Sequence, residues 1–429
     1  MLKVELLSKE MMIKPSSPTP PHLKTLKLSF LDQISPPVFI PLIFFFHNHG
    51  EDDHGRSSQK LKQSLSKVLS LFYPLAGRLK GNDFIDCSDD GALWVEARVH
   101  GFLKDVVENP LMEELEKFLP VEPYNNGDDG GLILAVQINY FLDGGIAVGV
   151  CMSHKIGDGL SLVNFVNAWA VAAREGHVAG ISTPDFELPP SLFPPTTADL
   201  SGSGFSPSVG LTREKIVTRR VVFSKEKLAA LKKSAAARVA DPTRVEALSA
   251  FLWRAASRKK PQNPSAAVHA VNLRSRMNPP LPDVTFGNLW RPAIAVTSPE
   301  TTQDDLVSQL RTSIRKINPE HAKALQNCNL YLENLHKAQE MFCKGETEFC
   351  SFSSWCRFPI YEVDFGWGRP VWACTTTFPY KNVIILMSTK SGDGIEAWVN
   401  MGEDDTWEIE TLSRNNLHLP AVPIAINVA

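Results

Sequence analysis

No two of the seven cysteines are spaced as Cys-x-x-Cys, and no apolar run approaches the length of a bilayer. The cysteines stand at 87, 151, 328, 343, 350, 356 and 374, an odd number in a chain of 429 residues that is too large to need cross-links. Free thiols in a reducing compartment are the expectation. The most apolar stretch, Val38–Phe46, is interrupted by Pro41 and reads as a buried strand. The N-terminus, MLKVELLSKEMMIKPSSPTPP, lacks the apolar core of a signal peptide. Neither sign of charge dominates: 44 Lys and Arg face 47 Asp and Glu, a net charge of −3, so there is no electrostatic footprint for nucleic acid. Among eleven scattered histidines only HNHGEDDHG gathers His47, His49 and His54. No periodic scaffold fixes ligand geometry there, so it reads as a polar loop and no metal is expected. The expectation is a cytoplasmic monomer without membrane or nucleic-acid partners.

What is present is ordinary globular composition, 43% hydrophobic and 21% charged, with length enough for two cores. Gln59–Phe72 places Leu61, Leu65, Val68, Leu69 and Phe72 on one helical stripe. A helix is expected near Asn109–Phe118 and a strand over Leu132–Tyr140, with Asp143-Gly144-Gly145 as a tight hairpin into the next strand. Residues 177–212 mix prolines with Ser, Thr and Gly and mark the expected boundary between two lobes. Beyond it, a strand is expected over Val217–Phe223, and Thr243-Arg244-Val245-Glu246 reads as a capping box. Helices are expected around Leu306–Ile317 and His321–Cys343, and three strands over Val371–Phe378, Val383–Thr389 and Gly394–Met401. Strands and helices alternate in both halves, so the fold class is α/β or α+β with two comparable lobes.

Two landmarks carry chemistry. In Ile146–Trp169 a strand puts Ile146, Val148, Val150 and Met152 on one face and the small Ala147, Gly149, Cys151 and Ser153 on the other. It runs into His154-Lys155-Ile156-Gly157-Asp158-Gly159, after which Leu162, Phe165, Val166 and Trp169 recur at helical spacing. An imidazole held at such a strand-to-helix turn is a candidate general base. Cys151 is no nucleophile partner for it, because three residues along a strand their side chains leave opposite faces. The second landmark, Asp364-Phe365-Gly366-Trp367-Gly368-Arg369-Pro370, reads as a rigid packed loop whose aspartate pairs with a nearby arginine.

HKIGDG in mid-chain followed by DFGWG near the C-terminus resembles the signature pair of the plant BAHD acyltransferases, which use coenzyme A thioesters. SSPTP, YPLAGRL, NLRSRMNPPLP, SWCR, TTTFP and SGDGIEAWV also sit where that family has them, so the resemblance spans essentially the whole chain. It is strongest to the branch that includes alkaloid acetyltransferases, whose members also esterify terpenoids, sugars and volatile alcohols. The resemblance implies two chloramphenicol-acetyltransferase-like α/β domains with a channel between them. They would span 1–190 and 213–429, joined by a crossover at 191–212, with a short C-terminal segment crossing back. It also implies a small-molecule alcohol acceptor, acetyl-CoA or another acyl-CoA as co-substrate, and no permanently bound cofactor.

In that chemistry the thioester is already activated, and His154 takes the proton of the attacking hydroxyl. The residues alone leave Asp158 two roles, orienting the imidazole or pairing with an arginine to shape the turn; the resemblance favours the second. Asp364 joins His154 and Asp158 in the expected site set, with a structural part to play. For coenzyme A, the resemblance points to Lys232, Lys233 and Ser234, to Arg274 and Arg276, and to Ser354 and Trp355. One of Arg274 and Arg276 is expected to be the partner of Asp364. An aromatic-Phe-Gly-Asn-Cys stretch, which marks malonyltransferases of the family, is absent, and this disfavours a malonyl donor. The sequence does not identify the donor that meets the oxyanion.

Overall fold

A computed structural model describes residues 2–7, 11–47, 54–124, 130–197, 200, 216–257, 263–297, 305–329, 331–333, 347–378 and 380–403. The fold is mixed α/β, built on two large sheets, with a small third sheet of Thr25–Lys27, Phe84–Asp86 and Arg78–Lys80. The first runs Val4–Leu6, Ala92–Val99, Leu134–Phe141, Ile146–Ser153, Phe39–Phe46 and Trp372–Cys374, with Met11–Ile13 as a second partner of Ala92–Val99. The second runs Ile216–Phe223, Ile395–Gly402, Val383–Ser388, Glu348–Ser354, Ser265–Asn272 and Trp290–Val296. Trp372–Cys374 comes from late in the chain yet pairs antiparallel with Phe39–Phe46, so the two halves are interleaved through the first sheet.

The strand leading to His154 is buried along its whole length, as are its neighbours Leu134–Phe141 and Phe39–Phe46. Its small residues have a physical reason. A Cβ on Gly149 would lie 2.1 Å from the Phe118 carbonyl oxygen, so a side chain there would drive the segment carrying Phe118 off the sheet. That segment is not the single helix expected at 109–118. Pro110 divides it into Leu103–Glu108 and Met112–Leu115, followed by a 3₁₀ turn at Glu116–Phe118. Helix His54–Leu69 packs against helix Gly159–Glu175, and the Trp169 indole N–H pins the pair by donating to the Leu61 carbonyl at 3.2 Å and to Ser64 Oγ at 3.1 Å.

Part of the proline-rich stretch is tightly held. Leu188–Leu192 forms a short helix, Phe193 is buried beside Phe30 and Leu273, and Asp185 bridges to Thr285. The Thr243–Glu246 capping box is formed and opens helix Arg244–Ala256. Several expectations fall outside the described residues: His49, residues 198, 199 and 201–212 of the proline-rich stretch, and residues 330 and 334–343 of the helix expected to end at Cys343. No helix among the described residues is long and apolar enough to cross a membrane, and no group of metal-ligating side chains occurs among them.

Candidate functional site

The turn after the sheet strand is fixed at both ends by backbone. His154 N–H donates to the Val38 carbonyl at 2.8 Å, extending the pairing of Phe39 with Ser153 by one residue. At the other end Asp158 caps helix Gly159–Glu175, its Oδ1 accepting from Ser161 N–H at 2.9 Å. The histidine therefore sits between a sheet and a helix start, held by hydrogen bonds rather than by a mobile loop.

Asp158 does not face the imidazole as a triad acid would. Arg274 Nη1 donates to its Oδ2 at 2.7 Å and Nη2 to its Oδ1 at 3.2 Å, while Leu289 N–H donates to Oδ2 at 3.1 Å. Arg274 is 1% exposed, and its remaining N–H groups go to Thr285 and Gly287 carbonyls and to Ser161 Oγ. Burial alone would raise the Asp158 pKa; the Arg274 guanidinium and the hydrogen bonds outweigh it and hold the carboxyl below its ordinary 3.8. The pair joins the first half's turn to the second half's 272–289 segment, and every lone pair and donor on it is used.

The imidazole is half-buried against the Trp290 indole, with ring centroids 6.4 Å apart. Burial pulls its pKa below 6.5, outweighing the raising influence of its own carbonyl, of Asp158 and of the Asn288 side chain. Its Nδ1 is buried without a partner in good hydrogen-bond geometry among the described residues, and so is Asn288 Oδ1. An imidazole Nδ1–H and an amide oxygen are complementary, a donor and an acceptor. Asn288 Nδ2 donates to the His154 carbonyl at 2.7 Å and to Asp32 Oδ1 at 2.8 Å, which fixes the amide beside the ring. Asp32 is itself buried, accepting also from Ser29 N–H at 2.9 Å and Ser29 Oγ at 2.6 Å. Next to the histidine, Lys155 Nζ turns inward to the Gln33 carbonyl at 2.8 Å and Asn82 Oδ1 at 2.9 Å, and burial brings its pKa down to about 8.

The expected site residues divide. Asp158, Arg274 and Trp355 gather around the His154 turn: a Cβ on Gly159 would lie 3.3 Å from the Trp355 ring. Arg274 corrects two expectations. It pairs with Asp158 rather than Asp364, and its enclosed, fully bonded guanidinium is closed to a phosphate. Arg276 is no partner of Asp364 either; its Nη1 donates to the Ile317 carbonyl at 2.9 Å, at the end of helix Leu306–Lys316. Lys232, Lys233 and Ser234 form the last turn of helix Lys225–Ala235, with Lys233 and Ser234 exposed and Lys232 3.5 Å from Asp241. Ser354 ends its strand, paired with Leu386.

Asp364 lies elsewhere. Its Oδ1 accepts from Gly366 N–H at 2.8 Å and Gly368 N–H at 2.9 Å, and Arg174 stands 3.8 Å from its Oδ2. Phe365 and Trp367 pack on Phe46, which pairs with Ile146 at the opposite end of the strand from His154. Seven strand rises, about 23 Å, separate the two ends. Asp364 therefore holds a loop and does not reach the imidazole. The residues that sequence reasoning missed are Asn288, Asp32 and Lys155. The available signal was the Gly287-Asn288 break ahead of a strand.

Comparison with known proteins gives a consistent picture. The Transferase family model matches residues 2–413. Stemmadenine O-acetyltransferase of Catharanthus roseus is 44% identical over 97% of this chain and 98% of its own length. Vinorine synthase of Rauvolfia serpentina is 42% identical over 94% of this chain and 95% of its own length. The crystal structure of vinorine synthase matches with a TM-score of 0.82 over 96% of this chain and 98% of that one, at 40% identity. A structure from F. sporotrichioides complexed with Coenzyme A and T-2 shares the fold, with a TM-score of 0.71 at 18% identity over 91% of this chain and 97% of its own.

Proposed function

Because the chain belongs to the Transferase family of BAHD acyltransferases and is a transferase enzyme, we propose that it moves an acetyl group from acetyl-CoA to a hydroxyl of a plant specialised metabolite, with an alkaloid as first acceptor class. The single observation that carries the chemistry is the imidazole at 154, held on a sheet-to-helix turn with its pKa below 6.5. An alcohol is a poor nucleophile at neutral pH, and a neutral imidazole in contact with it removes the proton as the oxygen attacks.

The residue's own backbone carbonyl and the Asn288 side chain both act on the ring as acceptors, raising its pKa against the effect of burial, and Nδ1 is the buried ring nitrogen. They favour the tautomer with hydrogen on Nδ1, which leaves the Nε2 lone pair as the base. The acceptor oxygen then forms a bond to the thioester carbonyl carbon as its proton passes to Nε2. The tetrahedral intermediate collapses, the carbon–sulfur bond breaks, and the departing thiolate takes the proton from the imidazolium. Acetyl-CoA and alcohol become acetyl ester and free coenzyme A, and the histidine returns neutral. No covalent acyl-enzyme is needed. Cys151, whose thiol burial pushes far up, takes no part.

Asp158 acts by structure: with Arg274 it fixes the turn on which the base stands. Coenzyme A phosphates are assigned to the Lys232–Lys233 turn, where Lys233 is exposed, with Trp355 beside the turn of the base. Stemmadenine O-acetyltransferase and vinorine synthase, at 42–44% identity over nearly the full chain, support an alkaloid acceptor. The test is a panel of alkaloids, terpenoid alcohols and simple alcohols incubated with acetyl-CoA and read by mass spectrometry. An acceptor gaining one acetyl group is expected among the alkaloids. Acetylation confined to terpenoid or volatile alcohols would move the acceptor class while keeping the chemistry.

A further inference from the structure

Three arginines are buried among the described residues, and two of them are saturated. Arg274 is enclosed by Asp158, Ser161 and carbonyls, as above. Arg311 holds Glu246 with both Nε at 2.9 Å and Nη2 at 2.6 Å, and donates to the Ala240 and Asp241 carbonyls at 2.6 and 2.9 Å. Arg291 is the exception. It is 6% exposed, its Nε is buried with no hydrogen-bond partner, and no carboxylate pairs with it among the described residues. The face of its guanidinium lies on the Tyr331 ring, whose centroid is 3.4 Å from the guanidinium carbon. Phe30 holds that ring edge-on at 5.0 Å.

A guanidinium stacked on an aromatic uses its face. Its N–H donors lie in the plane around the rim, in the fork geometry that matches carboxylate and phosphate oxygens. Stacking therefore leaves the charged edge unmet, and a buried cation without a counter-charge is costly. The nearest other titratable group adds a donor instead of an acceptor. Half-buried His321, on helix Pro319–Ala324, has its pKa lowered by burial and then by the charge of Arg291. Arginine, histidine and tyrosine thus converge with no acid among them.

The position matters for the enzyme. Asn288, Leu289 and Trp290 each touch the catalytic turn: Asn288 at the His154 carbonyl, Leu289 at Asp158 and Trp290 against the imidazole. Arg291 follows them directly and, by strand alternation, faces away from Trp290 into the cluster of Phe30, Leu31, Leu289 and Tyr331. We propose that Arg291, with His321 and Tyr331, forms a second site for a small oxyanion, a carboxylate or phosphate group, directly behind the catalytic segment. The anion completes the guanidinium's edge while Tyr331 covers its face. With the anion bound, the 288–291 segment is held more firmly against the His154 turn.

The experiment titrates inorganic phosphate, and separately acetate, into the full chain at constant ionic strength made up with chloride. Binding is read by calorimetry and by the rise in Tm. Saturable binding of one anion is expected, the tighter of the two telling phosphate from carboxylate as the preferred source. Arg291→Met should weaken it by about tenfold or more, since a charge-assisted hydrogen-bond pair is removed. Arg291→Lys keeps the charge and lacks the fork, so it should also weaken binding, and it carries the test if the methionine variant does not fold. The double variant Lys232→Ala, Lys233→Ala should bind the anion as the wild type does, which separates this site from the coenzyme A phosphates. Absence of saturable binding for both anions, binding unchanged in both Arg291 variants, or binding lost only in the lysine double variant would each overturn the proposal. Acyl transfer is not the readout, so failure of the acetyltransferase reading would leave this result intact.

Discussion

At the scale of single residues, burial decides the chemistry. The same loss of water that lowers the His154 pKa would raise that of Asp158, and the Arg274 fork, with the Ser161 hydrogen bonds, reverses the sign. The proposed base is therefore neutral through the physiological range. The sign for activity follows: the rate falls as pH drops through a pKa lying below the ordinary 6.5, so the midpoint of the acidic limb of kcat/KM should lie below pH 6.5. An acidic limb with its midpoint above pH 6.5 would contradict the lowered pKa of the imidazole. Asp158 gives a different signature. Asp158→Asn leaves the Arg274 charge enclosed without its partner and should cost about 3–5 kcal/mol of stability, read as a lower urea midpoint. An unchanged midpoint with lost activity would make Asp158 a chemical participant instead.

At the scale of elements, the strand, turn and helix around His154 were legible in sequence because alternation, a glycine-bearing turn and helical spacing follow one another without interruption. The capping box at Thr243 was legible for the same reason: its rule is local. The partners of the charges were not. Asp158 and Arg274 are 116 residues apart, and Asp364 meets Arg174 across 190. Nothing in a linear pattern distinguishes Arg274 from Arg276 as an ion-pair partner; only the fold turns one inward and the other to a helix end. Asn288 escaped because its function depends on lying between two chain segments, Asp32 and His154, that share no motif with it. The DFGWG loop makes a prediction at this scale. Asp364→Ala removes the acceptor for two backbone N–H groups and should lower stability by about 1–3 kcal/mol. The folded fraction should retain near wild-type kcat/KM, because the loop stands at the far end of the strand from His154. A large fall in kcat/KM at unchanged Tm would contradict that placement.

At the scale of the whole molecule, one tryptophan joins the two sheets. Trp372 stacks on Phe45 of the first sheet at 5.2 Å and on Trp398 of the second at 6.1 Å, while Arg220 lies 5.1 Å from its ring. Arg220 in turn grips the buried Glu396 with two hydrogen bonds of 2.7 and 2.8 Å. With the late strand inserted in the early sheet, neither half completes its core alone, so thermal unfolding should show one transition by near-UV and far-UV circular dichroism. Two separated transitions would mean that the halves are independent. The interleaving also explains how a turn from the first half and the 272–290 segment from the second can share buried hydrogen bonds around one imidazole.

The most direct measurement is thiol release from acetyl-CoA in the presence of an accepted alcohol, wild type beside His154→Ala, with coenzyme A binding followed in parallel. The proposed mechanism predicts that the variant binds coenzyme A as the wild type does and loses transfer by about a hundredfold to ten-thousandfold, the usual worth of a positioned general base. Transfer near the wild-type rate in a folded variant that still binds coenzyme A would contradict the assignment of His154 as the base.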